Sequence, residues 1–357
     1  MTRTEKLFVK LPKSVDCAII TSDVNRAYFT GMRSSAGTFL AFRDKAYLLI
    51  DFRYIEKARA TVRDAEVIDP GKRLMPMIIE LVKRHGAKNM AIESREMTVS
   101  SLNSLKKNIR GEVEIIDTDV LSNAIDSMRM VKDAEELACI RKAQEIAEIA
   151  FDSILRFIHP GVTERQIALE LDRVMLENGA ERVSFDTIAL TGKNTSMPHG
   201  VPSETKVQEG DFVLMDYGAV YRGYHSDMTR TVCVGEPTEE MKRVYDIVLQ
   251  AQAAAIDAAR PGISGSELDF AARHIIEQTG YGENFGHSLG HGVGLEIHEA
   301  PNAAPKYSSK LKVGSVITVE PGIYLPGKFG VRIEDFVILT ENGCINLTKC
   351  AKNIISL

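Results

Sequence analysis

The sequence predicts an α/β protein in two parts: an N-terminal unit with a mixed sheet, then a larger unit with a curved antiparallel sheet made by internal duplication. Three observations carry this. Short apolar strands alternate with helical stretches up to about residue 126. Two stretches, Pro160–Gly179 and Pro261–Gly280, align without a gap. Two others, Val207–Val234 and Leu311–Leu339, each climb an apolar strand to a carboxylate, turn at a glycine-containing tip and return to a second carboxylate.

In the first part, Val15–Thr21 reads as a strand. Thr38–Phe42 and Ala46–Ile50 flank the polar turn Arg43-Asp44-Lys45 and form a hairpin. Leu74–Arg84 and Ser101–Ile109 have helical periodicity, and Asn89–Ile92 and Val113–Ile116 read as strands. This part contains no pattern with chemical meaning and is expected to be structural or dimerising. The boundary falls near Asp126–Val131, giving domains at 1–128 and 129–357.

The second part opens with an amphipathic helix over Asp133–Ile158, stopped by His159-Pro160-Gly161. Thr163 with Gln166, and Ser264 with Glu267, are capping boxes that begin equivalent helices in the two aligned stretches. The acid hairpins follow at a similar spacing, with Asp216 matching Glu320 and Gly218 matching Gly322. Two helix-plus-hairpin halves related by a pseudo-twofold would place their acids in one cleft.

Bulk properties narrow the function. The net charge is −5, with no case for nucleic acid or an anionic membrane as partner. No apolar run is long enough to span a bilayer, and the N-terminus lacks an export-type segment. The five cysteines are scattered and none forms a CxxC pair, so a reduced, cytoplasmic setting is expected.

Asp216 and Asp227 belong to the first hairpin, Glu320 and Glu334 to the second. By strand parity Asp227 shares a face with Thr229, and Glu334 with Arg332. Four buried carboxylates need compensating charge, which a pair of divalent cations supplies. Between the hairpins, GHSLGHGVGLEIHE holds His287, His291 and His298 among glycines that would let the backbone bend so that the imidazoles converge; His199 precedes the first hairpin. Four carboxylates with an imidazole form an oxygen-rich set. It suits manganese (Mn²⁺) or cobalt (Co²⁺), with Fe²⁺ and Zn²⁺ also possible, over a thiolate-type structural zinc. Two such ions about 3.5–4 Å apart would hold a bridging hydroxide and polarise a carbonyl, the equipment of amide hydrolysis.

The order of these residues, with the words MDYGA, SDMTRT, GHGVG, VEPGIY and VRIEDF, resembles the pita-bread metallopeptidases, in particular the prolidase and Xaa-Pro aminopeptidase branch. The N-terminal part, with SDVNRAYFTG, resembles the N-terminal domain of that branch and of creatinase. The resemblance covers nearly the whole chain and implies an exopeptidase that cleaves X-Pro dipeptides or short peptides with two metal ions. Asp216, Asp227, His291, Glu320 and Glu334 would be the ligands, Glu320 also shuttling a proton. His199 and His298 would stabilise the tetrahedral intermediate, His287 would sit by the proline, and Arg332 and Tyr324 would hold the carboxylates. A homodimer is the family tendency. Dipeptidases of this branch tend to carry an Arg soon after the His298 position; here Asn302 stands there with Lys306 nearby, so Lys306 is the candidate for binding a substrate carboxylate. Two other readings compete: another hydrolase on this fold, such as a methionine aminopeptidase or a metal-free creatinase, and a non-catalytic binding homologue. The intact ligand set argues against the metal-free and binding readings.

Overall fold

The computed structural model describes residues 1–357, which divide into two units, Met1–Arg129 and Met130–Leu357. No helix is long and apolar enough to cross a membrane.

The first unit is built on a six-stranded mixed sheet. Its central strand, Cys17–Ile20, runs antiparallel to Thr38–Phe42 and parallel to Asn89–Ile92. Thr38–Phe42 forms the expected hairpin with Ala46–Leu49, and parallel edge strands Glu66–Ile68 and Glu114–Ile116 complete the sheet. The central strand is buried at every residue, as a strand covered on both faces must be. Ile78, Leu81 and Val82 of helix Leu74–Arg84, and Leu105 of helix Val99–Asn108, pack on it. Four helices escaped the sequence reading: Arg3–Lys10, Asp23–Thr30, Ile55–Thr61 and Val120–Arg129. Asp23–Thr30 had a visible signal, an Ser22 N-cap and a left-handed Gly31 at its end.

The second unit carries the duplication down to single hydrogen bonds. Both capping boxes form, at Thr163/Gln166 and Ser264/Glu267. Gly161 N donates to Val207 O, and its counterpart Gly262 N to Leu311 O, both at 2.9 Å. Isolated bridges join Thr163 to Lys206 and Ser264 to Lys310. Each half has its own apolar core. Helices Ala134–Ile154 and Glu164–Glu177 pack on strands Ile188–Thr191, Phe212–Tyr217 and Met228–Cys233. Helices Glu239–Ala258 and Gly265–Gln278 pack on Val316–Val319 and its neighbours. The first helix ends at Ile154 rather than Ile158, because the chain tightens into a turn where Phe157 N bonds Ile154 O. Helix Glu239–Ala258, its counterpart in the second half, was not read from the sequence.

Candidate active site

Asp216 lies in a paired strand, and Asp227, Glu320 and Glu334 lie where strand assignment lapses. Phe212–Tyr217 pairs antiparallel with Met228–Cys233, setting Asp216 opposite Thr229. The pairing of Val220 with His225 keeps the same register, so Asp227 falls opposite Gly218. Only glycine fits there, since a Cβ on Gly218 would lie 2.0 Å from Ser226 O. In the second half Val319 is opposite Asp335 and Gly322 opposite Arg332, so the common register sets Glu320 against Glu334. Opposed residues share a face. The halves are tied where Glu334 N donates to Thr229 O at 3.1 Å. One oxygen each from Asp216, Asp227 and Glu334 then lies within 4.8 Å of the others.

His291 joins them from strand Gly290–Gly292, between Glu299–Ala303 and Val316–Val319. Its flanking glycines allow close approach, and the strand register shifts between His291 and Gly292. Neither has a positive φ, and a Cβ would lie 2.1 Å from Thr318 O at Gly290 and 2.5 Å from Ala300 O at Gly292. The His291 Nδ1–H donates to Gly292 O at 3.1 Å. Its Nε2 lone pair therefore faces Glu320 Oε1 at 3.4 Å and Asp227 Oδ2 at 3.5 Å. His298 packs edge-on against His291, ring centroids 4.3 Å apart.

Buried donors fix the carboxylates. Arg332 reaches Asp216 Oδ2 through Nη2 at 2.6 Å, Thr229 Oγ1 through Nε at 3.0 Å and the Tyr324 hydroxyl through Nη1 at 2.8 Å. Thr229 Oγ1 donates to Glu334 Oε2 at 2.7 Å, and Thr318 Oγ1 to Glu320 Oε1 at 3.2 Å. Tyr324 is also 2.9 Å from His287 Nε2, whose Nδ1 lies 2.8 Å from Ser288 O. The proton order is consistent: Arg332 donates to Tyr324, and Tyr324 donates to His287. The sequence reading missed the clamp behind this segment. Arg273, paired with Asp269 four residues earlier on one helix face, donates to Phe285 O at 2.9 Å and His287 O at 2.7 Å. Asp269 Oδ1 accepts from Leu289 N at 2.9 Å.

These groups line a cavity of about 480 Å³. His199, His287, His298, Asp216, Asp227, His291, Glu320, Glu334 and Arg332 all face it. So do Phe185, Ile188, Ile297 and Asn302, which the sequence did not single out as a wall. Lys306 is exposed and is not among the lining residues.

A family model described as metallopeptidase family M24 matches residues 138–341, and one for the creatinase/prolidase N-terminal domain matches residues 9–131. The chain belongs to metallopeptidase family M24. An Xaa-Pro dipeptidase of Pyrococcus furiosus is 39% identical, over 99% of this chain and 99% of its own. The solved structure of an Xaa-Pro dipeptidase from Bacillus anthracis superposes with a TM-score of 0.95 at 39% identity, covering 99% of both chains. That of an X-Pro aminopeptidase from Thermotoga maritima gives 0.92 at 38%, covering 99% of this chain and 100% of its own. The fold is the two-part architecture that these residues led us to expect.

Membership of M24 implies divalent metal ions, and the buried groups of this chain fit them. Asp216 Oδ1 and Glu334 Oε1 are buried with no hydrogen-bond partner, an arrangement a protein tolerates where a cation completes the shell. Burial, then the negative charges of Asp216 and Glu320, raise Asp227 well above the ordinary carboxylate range. Burial, then Asp227, Glu320 and Asp216, do the same to Glu334. Burial lifts Glu320 to about 8, helped by Asp216 and opposed by Arg332. Burial and His298 lower His291 to about 4, leaving a neutral imidazole, the form that ligates. Acids in that condition hold either protons or cations.

Proposed function

We propose that this M24 chain removes an N-terminal residue from X-Pro dipeptides or short X-Pro peptides. Two divalent cations, manganese or cobalt ahead of zinc or iron, would be held by Asp216, Asp227, His291, Glu320 and Glu334. The observation that carries this is the buried cluster of Asp216, Asp227 and Glu334, with partnerless oxygens on Asp216 and Glu334 and His291 Nε2 facing Asp227 and Glu320. The full-length similarity to proteins named for X-Pro substrates supports the substrate class. Residues 129–357 form the catalytic domain, and 1–128 a creatinase-like N-terminal domain of a cytoplasmic homodimer.

Bound there, the cations would polarise the scissile carbonyl and lower the pKa of a shared water. The protein's part is positional and protonic. Glu320 accepts the proton of the attacking water and delivers it to the proline nitrogen, which carries no hydrogen of its own in the peptide. His298 and His199 face the cavity from its exposed side and stabilise charge on the carbonyl oxygen. His287, lowered to about 4 by burial and then Arg332, is neutral and stands beside the pyrrolidine ring. Arg332 fixes Asp216 and, through Tyr324, fixes His287.

A second reading concerns substrate length. Asn302 lines the cavity at the position where a dipeptidase is expected to carry an Arg, and Lys306 is exposed. This favours acceptance of peptides longer than two residues. The test is release of the N-terminal residue from X-Pro and X-Pro-Y peptides by protein loaded with a single defined metal. Folded, fully loaded protein that cleaves neither overturns the proposal.

A further inference from the structure

The cavity's charged residues are nearly all accounted for. Asp216, Asp227, Glu320 and Glu334 form the acid set, and Arg332 is committed to Asp216. The exception is Asp186. It lines the same cavity and is exposed, and its carboxylate has no hydrogen-bond or ion-pair partner. A second carboxylate stands behind it: Asp172, held by Thr187 Oγ1 at 2.5 Å, is raised by burial and also by Asp186. Arg332, the one Arg or Lys lining this cavity, is taken by Asp216, so no cation of the lining is paired with Asp186.

Its place along the wall decides what could compensate it. Ile188 is paired directly with Asp216, next to the reacting centre. Asp186 is two residues earlier in the chain, so at most roughly 7 Å further out. The substrate's α-ammonium is attached to the carbon beside the scissile carbonyl and stays near the acid set. The side chain of that residue extends away. Phe185 and Ile188 give the wall an apolar surface on which the methylene stem of a Lys or Arg can lie with its charged head at the rim.

We propose that Asp186 is a specificity-determining residue that favours a lysine or arginine immediately before the proline. This rests on the X-Pro reading above. The test compares kcat/KM for Arg-Pro, Met-Pro and Glu-Pro peptides in the metal-loaded wild type, Asp186→Asn, Asp186→Glu and Asp186→Lys. For an exposed ion pair the Arg-Pro over Met-Pro ratio falls roughly two- to five-fold in Asp186→Asn. Asp186→Glu keeps the preference, Asp186→Lys turns it toward Glu-Pro, and added salt weakens it in the wild type. An unchanged ratio in Asp186→Asn overturns the inference while leaving X-Pro hydrolysis intact. An equal loss on all three peptides assigns Asp186 to the shared α-ammonium and also overturns it. A wild type inactive on every peptide removes the X-Pro reading together with this one.

Discussion

The two acid hairpins share a scaffold and differ in where they put their acids. In the first, Asp216 faces Thr229 and Asp227 faces Gly218, so the carboxylates lie diagonal to each other. In the second, register sets Glu320 directly against Glu334. The backbone bonds that anchor each half are equivalent, so duplication conserved the frame and left acid placement free. The facing pair is the more repulsive arrangement. Its side-chain donors are neutral hydroxyls: Thr229 holds Glu334 at 2.7 Å, and Thr318 holds Glu320 at 3.2 Å. The diagonal hairpin has Arg332 on Asp216. Charge compensation by the protein is thus concentrated on the first hairpin, and the second depends more on bound cations.

The largest test of that asymmetry is Glu320→Gln. It removes the group assigned to proton transfer, and turnover falls by about 10²- to 10⁴-fold while far-UV circular dichroism is unchanged. Turnover near the wild-type rate would take the proton role away from Glu320. Metal removal by chelation comes next. Protein with free metal at a hundred times Kd loses about 2.7 kcal/mol of stability on stripping, and thermal melts show recovery when manganese is returned. The stripped protein also acquires a pH dependence of known sign. Glu320 has a folded pKa raised from 4.5 to about 8, so between those values the folded state holds a proton that the unfolded state has released. The contribution of Glu320 to the stability of the stripped protein therefore falls as pH rises through that window, while His287 and His291, lowered to about 4, oppose it below 6.5. Glu320→Gln makes the slope less negative, leaving the part due to Asp227 and Glu334, and an unchanged slope in the variant would mean that Glu320 contributes none of it.

Smaller effects probe the donors. Arg332→Lys supplies a point charge to Asp216 but cannot also reach Thr229 and Tyr324. A 10- to 100-fold loss in metal affinity or activity is expected, measured by metal titration and steady-state kinetics. Thr229→Val strips Glu334 of its hydroxyl donor and Arg332 Nε of its acceptor, costing about 1–3 kcal/mol in denaturant unfolding. Thr318→Val breaks a longer bond and costs less. The reverse order would refute the ranking of these two bonds by length.

Much of this was legible in the sequence because strand parity and duplication are local or repetitive signals. An acid inside FVLMD or SVITVE interrupts an apolar run, and the capping boxes mark equivalent helix starts. Parity failed where pairing breaks. His225 shares the face of Asp227 by count, yet Ser226 and Asp227 lie outside the strands and His225 Nδ1 bonds Ser184 Oγ at 2.8 Å. The glycines around His291 were read as bends, and the register does shift between His291 and Gly292, but they are also sites of close strand approach, which depends on neighbours distant in sequence. Phe185 and Asp186 gave no signal, since an irregular segment reveals a wall only once the chain is folded. The Arg273–Asp269 clamp was visible as a helical pair, but its reach to His287 O was not.

The smallest expected effect belongs to Lys306, and it separates substrate length from chemistry. An exposed cation gains little from pairing with a carboxylate, about 0.2–1 kcal/mol. Lys306→Ala should therefore lower kcat/KM for an X-Pro dipeptide by no more than about five-fold. A peptide extended beyond proline moves its carboxylate away and should lose less. Equal loss on both would remove Lys306 from carboxylate binding. Because Asn302, unlike Lys306, lines the cavity, Asn302→Arg is the complementary change: it should raise kcat/KM for the dipeptide over the longer peptide, and an unchanged ratio would remove this position from carboxylate recognition.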